Sequence, residues 1–335
     1  VSRPTIYDVA RESGVSIKTV SRVINDAPNV RPATLARVRS AIDLLGYQPD
    51  PAAQRLGGGR LPTVGVVVDS IADPFFARFA AVVEARATAV GMDVLIASTG
   101  LDEDRLRTQV ERLARRGVAG LVVAPFGDAA SVAAALPSDL PVVVVDRPYA
   151  SVGADAVRVT DEPGAHEAVH HLLDHGHLRI GFVGRTGQFA TLADRYRGYE
   201  RALHEAGVEV DPALVETRAW TTDEALPLVT AMLTGPDAPT AVFAATPMTG
   251  LAVLTAQQRL DRRDVALVVF GDLPGAELMT PPTTVVDQQP DALADTAFDL
   301  LERRLREPSA EPLDSVLPTR LVRRGSGELR PGGAS

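Results

Sequence analysis

Five of the six histidines fall between residues 166 and 177, while cysteine is absent from all 335 residues. His166 and His170 stand four apart, a spacing that can chelate a metal ion on one helical face. His171 and His175 lie on another face, however, and no thiolate is present to complete a set. With the histidines divided between two faces, no metal site is expected. The same cysteine count excludes disulfide and thiolate chemistry. No nucleophile elbow, Walker loop, dinucleotide fingerprint or HExxH stretch occurs, so neither catalytic residues nor a cofactor are expected.

A second set of residues suits a different chemistry. Lys18 and Arg22, four apart, share one face of a short helical stretch. Arg22 can donate two hydrogen bonds to guanine O6 and N7, and Lys18 is a more mobile donor to the same kind of acceptor. Ile17 offers an apolar contact to a thymine methyl. Thr5, Tyr7, Ser21, Asn25 and Thr34 are candidates for phosphate contacts, which set register without reading bases. Taken by composition alone, the same residues would equally make a solvated surface on an ordinary three-helix domain.

The elements that would position these residues are legible. Thr5 with Asp8 three residues on starts a first helix, and Ser13-Gly14-Val15 interrupts it. Ser16 caps a second helix to Ile24, with Val20, Val23 and Ile24 turned inward. Pro32 opens a third, in which Leu35, Val38, Ile42 and Leu45 repeat before Gly46. Three consecutive glycines, 57–59, then mark a boundary. The net charge of about −9 divides there: residues 1–60 carry nine Arg or Lys against five Asp or Glu, whereas the remainder carries 25 against 38. A basic end on an acidic body confines a nucleic-acid field to one module. With no apparent leader sequence and no apolar run near the eighteen residues of a membrane span, a cytoplasmic protein with no membrane partner is expected.

Beyond the glycines, apolar strands alternate with amphipathic helices: strands near 64–68, 94–97, 121–123 and 142–145, then 180–183, 241–244 and 266–270. A helix over 290–306 and one strand over 316–322 follow. Short strands without alternation predict parallel sheets covered on both faces. Two successive sets predict two similar lobes with a cleft between them.

TIYDVARESGVSIKTVSRVIN and RPATLARVRSAIDLLGYQPDPAAQRL closely resemble the start of the lactose and galactose repressor family, and the resemblance runs the whole chain. In the body it rests on DSIADPFF at 69–76, GLVVAP at 120–125, VVVVDRP at 142–148, HLLDHGHLRIGFVG at 171–184, RYRGY at 195–199 and PPTTVVDQ at 281–288. It implies an α/β chain with a three-helix helix-turn-helix head and hinge, then a two-lobed, type I periplasmic-binding-protein-like body with parallel sheets. The implied boundaries are 1–49 for the head and 50–61 for the hinge. Lobe one takes 62–160 with 291–317, lobe two 161–290 with 318–330, and 331–335 is a tail.

By the same resemblance, Ile17, Lys18 and Arg22 read a half-site, Ala53 belongs to a hinge helix, and Leu56 wedges into a minor-groove base step. A homodimer on a near-palindromic, double-stranded operator follows, because two hinges must meet at the dyad. The implied cleft residues are Asp69, Phe75, Asp146, Arg195 and Trp220, around a small-molecule effector. Two departures stand out: Thr246-Pro247 where sugar-responsive relatives commonly have asparagine and aspartate, and Gly271 at the usual ligand-contacting aspartate. They point away from an ordinary neutral sugar, toward an anionic or partly apolar metabolite gripped by Arg195, or a regulator with lost effector response. The expected function is an effector-responsive repressor of a metabolic operon. The competing readings are an operator-independent DNA-bending protein and a standalone binding protein.

Overall fold

A computed structural model of the protein describes residues 4–24, 30–47, 62–147, 153–187 and 190–332. The chain divides into two compact units, Val1–Leu61 and Pro62–Ser335. In the first, α1 (Ile6–Ser13), α2 (Ile17–Ile24) and α3 (Pro32–Leu45) enclose a small core of Val9, Ala10, Val20, Val23, Val38, Ala41 and Tyr47. The Asp8 carboxylate accepts from the Thr5 backbone N–H at 2.9 Å and from its hydroxyl at 2.7 Å, anchoring the start of α1. Ser16 caps α2 by accepting from the Thr19 N–H at 3.3 Å. Pro32 occupies the first turn of α3, where its missing N–H costs nothing.

The second unit holds two six-stranded sheets. Sheet one is built from β1 (Thr63–Val68), β2 (Asp93–Ser98), β3 (Gly120–Val123), β4 (Val142–Val145), β5 (Asp155–Val159) and β11 (Asp314–Leu317), all parallel, in the order β11-β5-β4-β3-β1-β2. Sheet two contains β6 (Ile180–Val183), β7 (Val215–Glu216), β8 (Ala241–Ala244), β9 (Ala266–Phe270), β10 (Thr284–Asp287) and β12 (Arg320–Val322). Its order is β12-β10-β9-β8-β6-β7, and only the β10–β12 pair is antiparallel. β1, β3 and β4 are buried along their whole length, which is why their sequences are near-continuous valine rather than alternating.

Helices cover both faces of each sheet. On sheet one, α4 (Pro74–Ala89) shares a core with α11 (Pro290–Arg306), while α5 (Glu103–Arg115) lies over another; α6 (Ala129–Ala135) follows β3. On sheet two, α7 (Asp161–Asp174) and α8 (Ala190–Glu205) cover one face, α9 (Thr222–Thr234) and α10 (Pro247–Leu260) the other. α11 follows sheet two in sequence yet packs on sheet one through Leu293, Ala294, Ala297, Phe298 and Leu301. Charge fixes it there. The fully buried Asp155 accepts from Arg303 at 3.3 Å and Arg304 at 2.8 Å, and Arg78 and Arg86 of α4 reach Asp291, Asp295 and Asp299.

The strand expected over 316–322 is two strands. The chain leaves sheet one at Leu317 and enters sheet two at Arg320, so Pro318 and Thr319 form a crossing rather than a strand interior. There the Thr319 N–H donates to the Thr160 hydroxyl at 3.0 Å, tying this crossing to the one between β5 and α7. Among the described residues no helix is long and apolar enough to cross a membrane.

Candidate functional site

In the first unit, α2 buries Val20 and Val23 and turns its other side outward. Lys18 and Arg22 are exposed, Ile17 is 40% exposed and Ser21 is half-buried. Four residues of helix bring Lys18 and Arg22 onto one surface one turn apart. Tyr7 is exposed and Thr34 half-buried in the first turn of α3. The Thr5 hydroxyl is turned to Asp8, so its offer to a phosphate would break a bond that already exists. Hydrogen bonding from Thr5 keeps the Asp8 carboxyl below its ordinary range and therefore ionised. Asn25, Ala53 and Leu56 lie outside the described residues.

In the second unit, the cleft residues come from the carboxyl ends of parallel strands, the place where open α/β sheets present ligand-facing groups. Asp69 follows β1, Asp146 follows β4, Thr246 follows β8, Gly271 follows β9 and Gln288 follows β10. Asp69, Phe75, Asp146, Arg195, Trp220 and Thr246 line one common cavity, with Arg147, Asp73 and Gln288 also in its wall. Its volume is about 40 Å³, room for a few waters. Two buried ion pairs stand at this cavity. Arg147 pairs with Asp69, and its Nε lies 3.4 Å from Asp146. Arg195, 5% exposed, donates to Asp161 at 2.7 Å and to the Ala245 carbonyl at 2.8 Å, and its guanidinium lies 3.9 Å from the centre of the Phe270 ring. A cation over an aromatic face gains further attraction.

Carboxylates exceed guanidiniums here. Burial pushes the Asp69 carboxyl up to about 7, against the pull of Arg147, and does the same to Asp161 against Arg195. Asp73, at the start of α4, is raised by burial as well. Two nitrogens of the Arg195 guanidinium are thus held by Asp161 and a carbonyl, so an anionic ligand would share Arg195 with a carboxyl already in place.

The two departures prove to be one unit. The Thr246 hydroxyl caps α10 by accepting from the Thr249 N–H at 3.1 Å. Pro247 then projects over Gly271, which sits at φ +93°; a Cβ there would lie 2.9 Å from Pro247 Cγ and 3.0 Å from Gln288 Oε1. Both the backbone and the neighbours reject an aspartate at 271.

The profile of bacterial regulatory proteins of the lacI family matches residues 5–50, and that of the periplasmic binding protein-like domain matches residues 169–327. The catabolite control protein A of Priestia megaterium is 30% identical over 329 residues, covering 96% of this chain and 98% of its own. The chain belongs to the lacI family. Among solved structures, a complex of the transcriptional regulator CelR with cellobiose is similar at 31% identity and TM-score 0.68, covering 97% of this chain and 100% of its own. A lac repressor dimer bound to operator and an anti-inducer is similar at 25% identity and TM-score 0.82, with coverages of 97% and 99%. A lacI-family chain of this kind is a DNA-binding transcriptional repressor and not an enzyme.

Several cleft residues of this family member escape sequence reasoning. Arg147 is adjacent to Asp146, which adopts φ +69°, and it turns inward to pair with Asp69. Asp161 reads as an ordinary acidic residue in the first turn of α7, and only the packing of α8 brings Arg195 onto it. The histidines serve structure: His166 shares a hydrogen bond with Glu205 at 2.7 Å, His171 with Glu328 at 2.8 Å and His177 with Thr240 at 2.9 Å. Among the described residues no group of three or more candidate ligands is placed to hold a metal ion.

Proposed function

We propose that this repressor binds a near-palindromic operator as a homodimer, with α2 of each copy in a major groove, and that a small molecule in the cleft of the second unit controls its grip. The observation that carries the reading is the exposed row Ile17, Lys18 and Arg22 on a helix whose opposite side is the core of its module. Arg22 reads guanine, Lys18 adds a second donor, Ile17 meets a thymine methyl, and Tyr7, Ser21, Asn25 and Thr34 hold the phosphates, with Thr5 joining them on release of its hydroxyl from Asp8. Ala53 and Leu56 belong to a hinge over 50–61, in which Leu56 wedges at the dyad. Lobes of 62–160 with 291–317 and 161–290 with 318–330 close on the effector and alter hinge spacing.

Dimerisation is supported by the apolar side of α10, where Leu251 is 42% exposed beside Leu278 at 86%, since unpartnered apolar surface favours a second copy. The lac repressor relative is a dimer on its operator. The effector differs from a neutral sugar such as the cellobiose of the CelR relative, because Thr246 caps a helix and Pro247 covers Gly271 where the family resemblance implies polar side chains. A second reading, loss of effector response, is favoured by one observation: Arg147–Asp69 and Arg195–Asp161 occupy the cleft and leave about 40 Å³. Operator selection from random duplexes, followed by mobility shift with Arg22→Ala, tests the DNA reading. Unchanged sequence preference in the variant would overturn the assignment of Arg22.

A further inference from the structure

The cleft is short of positive charge. Asp69, Asp73 and Asp146 line it against Arg147 and Arg195, and Asp161 takes the Nε of Arg195. The Asp69 carboxylate is 4% exposed; one oxygen accepts from Arg147, while the other, Oδ1, has no hydrogen-bond partner among the described residues. A buried carboxylate oxygen left without a donor is costly, and a ligand that supplies one removes that cost. A hollow next door has a volume of about 530 Å³ and shares Phe75 and Gln288 with the cleft. Its Asp272 is paired with Arg324 and its Asp291 with Arg78, which leaves Asp287 as the carboxylate without an arginine there among the described residues.

We propose that the effector carries a protonated amine, received by the unpartnered oxygen of Asp69 with Asp73 and Asp146 around it. This rests on the cleft being the effector site and names the ligand class for it. An ammonium group supplies the donors that Asp69 lacks and offsets the excess of carboxylates. An anion would meet the same excess as repulsion. Trp220 and Phe75, both partly buried in the cleft wall, give a hydrocarbon or sugar-ring portion an apolar surface. The neighbouring hollow gives the rest of the molecule room that the 40 Å³ cavity does not.

The test uses the full chain at pH 7 with glucosamine, ethanolamine and putrescine, set against glucose, N-acetylglucosamine and glucuronate. Thermal shift reports binding, and competition for a selected operator reports response. At least one amine is expected to raise Tm saturably and change operator affinity, with binding about tenfold or more tighter than its uncharged counterpart. Asp69→Asn is expected to remove that preference. Asp73→Asn, which keeps a residue able to cap α4, is expected to weaken it and covers the case in which Asp69→Asn does not fold. A response to glucose or glucuronate with none to amines overturns the charge inference and leaves the cleft as effector site. No response from any of the six overturns both. Amine binding that survives both substitutions unchanged also overturns it.

Discussion

At Gly271 a single missing side chain accounts for much of what distinguishes this cleft. The φ of +93° and the approach of Pro247 and Gln288 make Gly271→Asp destabilising by about 2 kcal/mol or more, measured by urea unfolding. Pairing it with Pro247→Asp is expected to recover part of that loss, because the residues touch and their effects couple. Purely additive losses would show that the two positions are independent. In the head, Arg22→Ala is expected to lose about 1–3 kcal/mol of discrimination at one base pair of each half-site, read by competitive mobility shift. Thr246-Pro247 and Gly271 were legible as departures in the sequence. Their common cause was not, because it depends on β8 and β9 being neighbours in sheet two.

At the scale of elements, strands that are buried throughout were legible because their apolar runs are short and bounded by turns. β4, β6, β8 and β9 lie where the pattern places them. α6, an alanine-rich stretch with little amphipathic contrast, and β5, which begins with the buried Asp155, were not. Asp155 reads as a surface residue until Arg303 and Arg304 arrive from about 150 positions later. Non-local charge pairing of this kind leaves no local pattern. The pairs Arg147–Asp69 and Arg195–Asp161 are hidden in the sequence for the same reason, although the family motifs mark Asp69, Asp146 and Arg195 individually. For the hinge, Leu56→Ala is expected to reduce the bend imposed on operator DNA more than it reduces half-site recognition, as measured by circular permutation of the operator. An unchanged bend would remove Leu56 from that role.

For the whole molecule, the raised carboxyls make stability depend on pH in a definite direction. Asp69 and Asp161 titrate near 7 when folded, against 3.8 ordinarily, so between those values the native state holds protons that the unfolded chain has released. Their contribution to stability therefore falls as pH rises from about 4 to about 7. Burial lowers His171 and His177, whose contribution rises with pH through the same region. Comparing Tm between pH 5 and 8 for the natural chain and Asp69→Asn separates them: the variant is expected to lose less, or gain more, stability on going to pH 8. Identical slopes would show that Asp69 is not a raised carboxyl. The charge division along the chain also acts at this scale, since the net −13 of residues 61–335 leaves operator binding to the basic first 60. The most direct measurement of the central claim is competition between a selected palindromic operator and a scrambled duplex of equal length, at physiological salt. A preference of about 10³-fold or more is the expected result. Equal affinity for the two would contradict a sequence-reading repressor and leave a protein that bends DNA wherever it lands.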